Sequence, residues 1–136
     1  MEDQLLEKKV NEVMRREVFL VNLDHTWSDV ARKMSAKAIH HVVVVDEAHK
    51  PLTVVSSFDF LTFAHKGEPD RGAATLRDTL KTRRLISIGQ DDRVLEAISE
   101  MNTHHLQSVV VLDESGRVVG ILTPRDIMNL LLEFAG

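Results

Sequence analysis

The sequence predicts an α/β fold, α+β in the way its layers segregate: two β-α-β-β-α repeats packed as a pseudo-twofold pair, with an N-terminal helix in front. Three observations predict it. A constant offset of 67 residues pairs Asp24 with Asp91, Met34 with Met101 and Asp59 with Asp126, and lays Val42, Val43, Val44, Asp46 and Glu47 on identical residues without a gap. Each copy holds an apolar β-branched hairpin closed by an acidic turn. Each hairpin then runs into a hydroxyl-x-x-carboxylate helix start, SSFD at 56–59 and TPRD at 123–126.

Taken in order, Leu5, Leu6, Val10, Val13 and Met14 recur among charges at helical spacing, so residues 2–14 read as a leading helix. Val18 to Val21 is a short strand. Thr26 with Asp29 is a capping box ahead of a helix over Trp27 to Ala38, apolar at Val30, Ala31 and Met34. Ile39 to Val45 and Leu52 to Val55 are the hairpin strands around an Asp46 to Pro51 turn, and Ser56 caps a helix through Ala64. Gly67, Pro69 and Gly72 interrupt a charged stretch with no hydrophobic period, which marks 67–74 as the linker between a first domain over 1–66 and a second over 75–136. The pattern then repeats. Leu76 to Leu80 is a short helix, Leu85 to Ile88 a strand, Asp91 or Asp92 a cap, Val94 to Met101 a helix, Leu106 to Leu112 and Val118 to Leu122 the second hairpin, and Thr123 to Phe134 the last helix.

Composition narrows the function. Hydrophobic residues make up 43% and charged residues 28% of 136 residues, enough apolar material for a core. Each half has fewer than about 70 residues and buries too little surface to be secure alone, so the halves are expected to need each other. With no Cys, thiolate metal sites, disulfides and thiol nucleophiles are excluded. A net charge of −4 argues against a nucleic-acid backbone as main partner, and MRRE at 14–17 and KTRR at 81–84 read as solvated turns or small-anion contacts. No apolar run approaches the ~20 residues that span a bilayer, and the charged amino terminus lacks a secretory h-region, so a cytoplasmic protein is the expectation.

The segment GILTPRD, 120–126, concentrates the functional chemistry. Thr123 suits an N-cap, Pro124 the first helical position, and Asp126 stands three residues past the cap. A carboxylate at a helix start can accept both hydroxyls of a ribose cis-diol, and the neighbouring hydroxyl with the free amides of the first turn suits a phosphate or ribose oxygen. Asp59 and Asp126 are the ribose candidates, Ser56 and Thr123 the hydroxyl candidates, and Arg125 adds charge. An adenine ring needs a flat apolar slot, for which strand residues such as Val42 and Val109 are available. Taken singly, a T-x-x-D is a helix cap; its repetition at fixed register is what points further. Adjacent histidines at 40–41 and 104–105 lack acidic partners at ligand spacing, and no nucleophile motif is present, so neither a metal site nor catalysis is expected.

Over essentially its whole length the chain resembles a tandem pair of cystathionine β-synthase (CBS) domains, a Bateman module. The resemblance rests on the unit order with its preceding helix, on the hairpins IHHVVVVDEAHKPLTVV and LQSVVVLDESGRVVGIL, and on the doubled S/T-x-x-D. It implies clefts between the halves for adenosyl ligands: AMP, ADP or ATP first, NAD or S-adenosylmethionine behind them, none of them an obligatory cofactor. It implies that His40 and His41, just before the hairpin strand, reach phosphates, and that Thr82 resembles a further ligand-contact position. Homodimers are common in the family. The sequence departs from the family pattern at Thr53 for Gly, Phe58 for a polar residue, and Val43 and Val110 for Pro, so the second signature is the cleaner. The expected function is a stand-alone, non-catalytic adenine-nucleotide sensor acting on an effector protein in trans. The alternative is a ligand-free oligomerisation module whose S/T-x-x-D pairs are only caps.

Overall fold

The computed structural model describes residues 2–65, 74–79 and 85–135. Most of the expected linker, 67–73, and Thr82 lie outside them. The chain divides into two compact units, Phe19–Arg84 and Met1–Val18 with Leu85–Gly136. The leading segment, placed in the first domain by sequence order, thus packs with the second repeat.

In the unit of the first repeat, β1 (Leu20–Val21), β2 (His41–Val45) and β3 (Pro51–Ser56) form one sheet in that order, with α2 (Trp27–Lys37), α3 (Ser57–His65) and α4 (Leu76–Thr79) around it. β1 runs parallel to β2 and β2 antiparallel to β3, with Val42 opposite Val55 and a register shift at Val44/Val45. Burial selects the face. Val42, Val44 and Val55 point into a cluster with Val21, Trp27, Val30, Met34 and Leu76, and each fully buried aliphatic side chain contributes on the order of 1.5–3 kcal/mol. α2 begins at the expected capping box, where Thr26 Oγ1 accepts from the Asp29 amide at 3.1 Å and Asp29 Oδ2 accepts from the Thr26 amide at 3.0 Å. Ala38 ends α2 in the left-handed region at φ 51°, and Ile39 turns its amide back to the Met34 carbonyl, so the hairpin strand begins at His41 rather than Ile39. Trp27 is a packed anchor: its Nε1 donates to Thr79 Oγ1 at 2.6 Å and its ring meets Phe60 edge-on at 5.2 Å.

The unit of the second repeat repeats the plan with β4 (Ser87–Gly89), α5 (Val94–His104), β5 (Val109–Leu112), β6 (Val118–Leu122) and α6 (Pro124–Ala135), in sheet order β4-β5-β6. Neither Asp91 nor Asp92 caps α5. The cap position is Arg93, without a side-chain cap bond, because Asp92 Oδ2 instead accepts from the Gly89 amide at 2.8 Å.

The leading helix also differs from expectation. It stops at Glu7 as α1 (Glu2–Glu7), and a single 3₁₀ turn follows at Val10–Glu12. The backbone between is diverted into the 90–94 loop: the Val94 amide donates to the Lys8 carbonyl, and the Val10 and Asn11 amides donate to Asp92 and Gln90 at 2.7 and 3.0 Å. These bonds satisfy donors a continuous helix would have used internally. Val10 and Met14 then complete the second repeat's core with Ile88, Ala97, Met101, Val109, Val111 and Leu122.

Beyond Met14 the leading segment, residues 8–15, crosses β6 as a strap. Arg15 and Ile121 exchange two backbone hydrogen bonds, 2.9 and 3.0 Å, directly over Gly120. A Cβ on Gly120 would collide with the Met14 sulfur and stand 2.9 Å from Met14 Cγ and 3.1 Å from the Arg15 carbonyl oxygen, so this glycine is required by close approach. Gly120→Ala is expected to cost about 1–3 kcal/mol, measured by urea denaturation, because buried Met14 has little room to retreat.

Candidate functional site

Each unit gathers a set of the expected residues at one end of its sheet. In the first repeat, antiparallel pairing sets His41 opposite Ser56 and Val42 opposite Val55, and the Ser57 amide donates to the His40 carbonyl at 2.9 Å. His40, His41, Ser56 and Asp59 therefore cluster at the start of α3. The Ser56 amide donates to Asp59 Oδ2 at 2.7 Å and its hydroxyl lies 3.4 Å from the same oxygen. His40 and Ser57 also line an apolar pocket of about 320 Å³ with Met34, Ile39 and Phe60.

In the second repeat, Val109 pairs with Leu122, and Thr123 and Asp126 meet in a closed capping box at the start of α6. The Thr123 amide and hydroxyl both donate to Asp126 Oδ2, at 2.9 and 3.0 Å, while the Asp126 amide reaches Thr123 Oγ1 at 3.4 Å. The other carboxylate oxygen, Oδ1, faces Arg15 Nη2 at 3.3 Å. Arg125 is exposed in the same first turn.

Val42 and Val109 are fully buried in their cores, so their side chains present no surface to a ligand; what they offer is their place in the sheet. The acidic hairpin turns are structural. Asp46 Oδ1 accepts from the Ala48 and Lys50 amides, and Asp113 Oδ1 accepts from Ser115 and Arg117. Those bonds, led by the Ser115 hydroxyl, hold the Asp113 carboxyl below its ordinary range. His104 pairs with Glu100 at 3.2 Å, and among the described residues no group of three or more metal-ligating side chains assembles. A shallow cavity of about 810 Å³ lies at the opposite end of the first repeat's sheet, lined by Asn22, His25, Val45, Glu47, His49 and Arg77 among others. No helix of the described residues is long and apolar enough to cross a membrane.

The residue that sequence reasoning missed is Arg15. Its signal was the basic run MRRE, and only the crossing of the strap over β6 turns that run into a neighbour of Asp126.

Two sheet units of one topology, each with a hydroxyl-and-carboxylate helix start at the same sheet end, define a tandem-repeat module. The CBS domain model matches residues 10–66 and 76–133, and the chain belongs to the CBS domain family. It is 28% identical over 123 residues to an uncharacterized protein of Methanopyrus kandleri, covering 89% of this chain and 61% of that one. It is 24% identical over 132 residues to a CBS domain-containing protein of Dictyostelium discoideum, covering 91% of each. Its fold is similar to a CBS domain pair crystallised with 5′-methylthioadenosine and S-adenosyl-L-methionine, at a TM-score of 0.78 and 22% identity, over 91% of this chain and 95% of that one.

The geometry sets the cap's worth. Asp126→Asn replaces a charge-assisted acceptor with a neutral one and dissolves the contact to Arg15; a loss of about 0.5–2 kcal/mol is expected in thermal or urea unfolding.

Proposed function

We propose that the chain is a non-catalytic sensor of adenosyl ligands whose binding places are the S/T-x-x-D helix starts at Ser56–Asp59 and Thr123–Asp126. The observation that carries this reading is Asp126 itself. One oxygen serves the cap while the other is turned away from it, held only by the half-exposed guanidinium of Arg15 at 3.3 Å. The fold's likeness to a CBS pair holding two adenosyl compounds supports the ligand class. AMP, ADP or ATP are the leading candidates, since Arg15 and Arg125 at the second helix start, and His40 and His41 at the first, offer donors to a phosphate. Thr82, which in sequence resembles a family ligand-contact position, belongs to the same proposal. A ligand regulates a partner only through differential affinity for two shapes, so an effector protein must prefer one of them.

The competing reading is the ligand-free module. It is favoured by the fact that both carboxylates already accept from the cap amide, at 2.7 Å in Asp59 and 2.9 Å in Asp126. Thermal unfolding separates the two. Ligand at one hundred times its Kd adds about 2.7 kcal/mol to stability. The sensor reading expects AMP, ATP, NAD or S-adenosylmethionine at millimolar concentration to raise Tm in the wild type, and the rise to be lost in Asp126→Ala. No rise with any of them supports the structural module.

We also propose a homodimer. α3 exposes Phe58 and Leu61, at 70% and 64%, and α6 exposes Met128 and Leu132, at 59% and 67%; apolar helix faces of this kind mark contact surfaces. Leu61 and Met128 are the same position in the two repeats. A second copy covering them predicts that Met128→Glu with Leu132→Glu halves the mass found by sedimentation equilibrium, whereas an unchanged mass removes α6 from the interface.

A further inference from the structure

The strap that crosses β6 delivers a guanidinium to the one oxygen of Asp126 the cap does not use. Oδ2 is taken by the Thr123 amide and hydroxyl; Oδ1 lies 3.3 Å from Arg15 Nη2. The Asp126 side chain is 10% exposed and that of Arg15 49%. The backbone of Arg15 is held by its two bonds to Ile121, and its carbonyl stands against Gly120, so the root of the side chain is anchored while its half-exposed head borders solvent.

A ribose diol arriving at Asp126 must therefore displace this guanidinium or share the carboxylate with it. A neutral nucleoside that displaces it leaves the cation without its partner. A ligand bearing a phosphate supplies a replacement acceptor, and the planar fork of an arginine, with five N–H donors, can hold phosphate while retaining a bond to the carboxylate. We propose that Arg15 is a specificity-determining residue of the Thr123–Asp126 site, selecting phosphate-bearing adenosine ligands over neutral ones. The inference rests on the ligand reading proposed above and adds to it a residue outside the S/T-x-x-D signature. The inference concerns the second helix start alone; at the position equivalent to Arg125 the first repeat carries exposed Phe58.

The test is isothermal titration of AMP and of adenosine into the full chain, as wild type, Arg15→Gln and Arg15→Lys, with unfolding curves confirming that each variant is folded. The wild type should favour AMP. In Arg15→Gln, AMP should weaken and adenosine tighten, each on the order of two- to fivefold, the range an exposed ion pair commands, so that the preference collapses. Arg15→Lys, which keeps the charge without the fork, should retain part of it. On the wild type alone, raising salt should also shrink the preference, because an exposed pair is screened. An unchanged AMP-to-adenosine ratio in Arg15→Gln, equal weakening of both ligands, or a salt-independent ratio overturns the role of Arg15 while leaving the ligand site standing. If neither compound binds the wild type, the sensor reading fails and this inference with it.

Discussion

The pair of backbone hydrogen bonds between Arg15 and Ile121 is the constraint on which the second repeat depends. It lays residues that precede the first repeat across a strand that closes the second, and the contact is tight enough that only glycine fits beneath it at position 120. From this crossing follow the core and the site together. Val10 and Met14 are drawn over Ala97, Met101 and Leu122, and Arg15 is left with its side chain beside Asp126. A three-stranded sheet with one helix on the buried face has too little apolar surface of its own; the strap supplies the missing side chains.

Bonds from a backbone amide to a side chain three residues on recur through the chain, and they show why S/T-x-x-D by itself says little. Thr26 with Asp29 is a closed capping box, and the Thr26 amide bond is the largest of several that hold the Asp29 carboxyl below its ordinary range, with Arg32 assisting. The Gly89 amide donates to Asp92, and at the equivalent place in the first repeat the Asn22 amide donates to His25 Nδ1 at 3.1 Å. None of these is a reason to expect a ligand. Asp59 and Asp126 differ because they begin helices directly after a sheet strand, at the end where the preceding hairpin strand also starts.

Much of this was legible in the sequence because the repeat carries its own register. An offset that aligns Val42 to Val44 with Val109 to Val111 fixes the hairpins, and the acidic turns that close them need only local amides. The capping of α6 by Thr123 was likewise readable, being decided within four residues. Three features were not. The leading helix breaks after Glu7 because distant backbone groups at 90–94 compete for its amides, a tertiary contact that helical periodicity cannot report. Asp92 looked like a cap for α5 and serves Gly89 instead, since both uses satisfy the same composition rule. The meeting of Arg15 with Asp126 spans 111 positions, and nothing local in MRRE announces it.

The central claim is that the Thr123–Asp126 helix start, with Arg15 beside it, receives an adenosyl ligand. The most direct measurement is a two-dimensional ¹⁵N NMR titration of the full chain with AMP, because it locates a contact residue by residue. The account predicts saturable shifts concentrated on the amides of Thr123, Arg125, Asp126 and Ile127 and on Arg15. Saturable binding that leaves those amides unmoved, or no shifts at millimolar AMP, would contradict it.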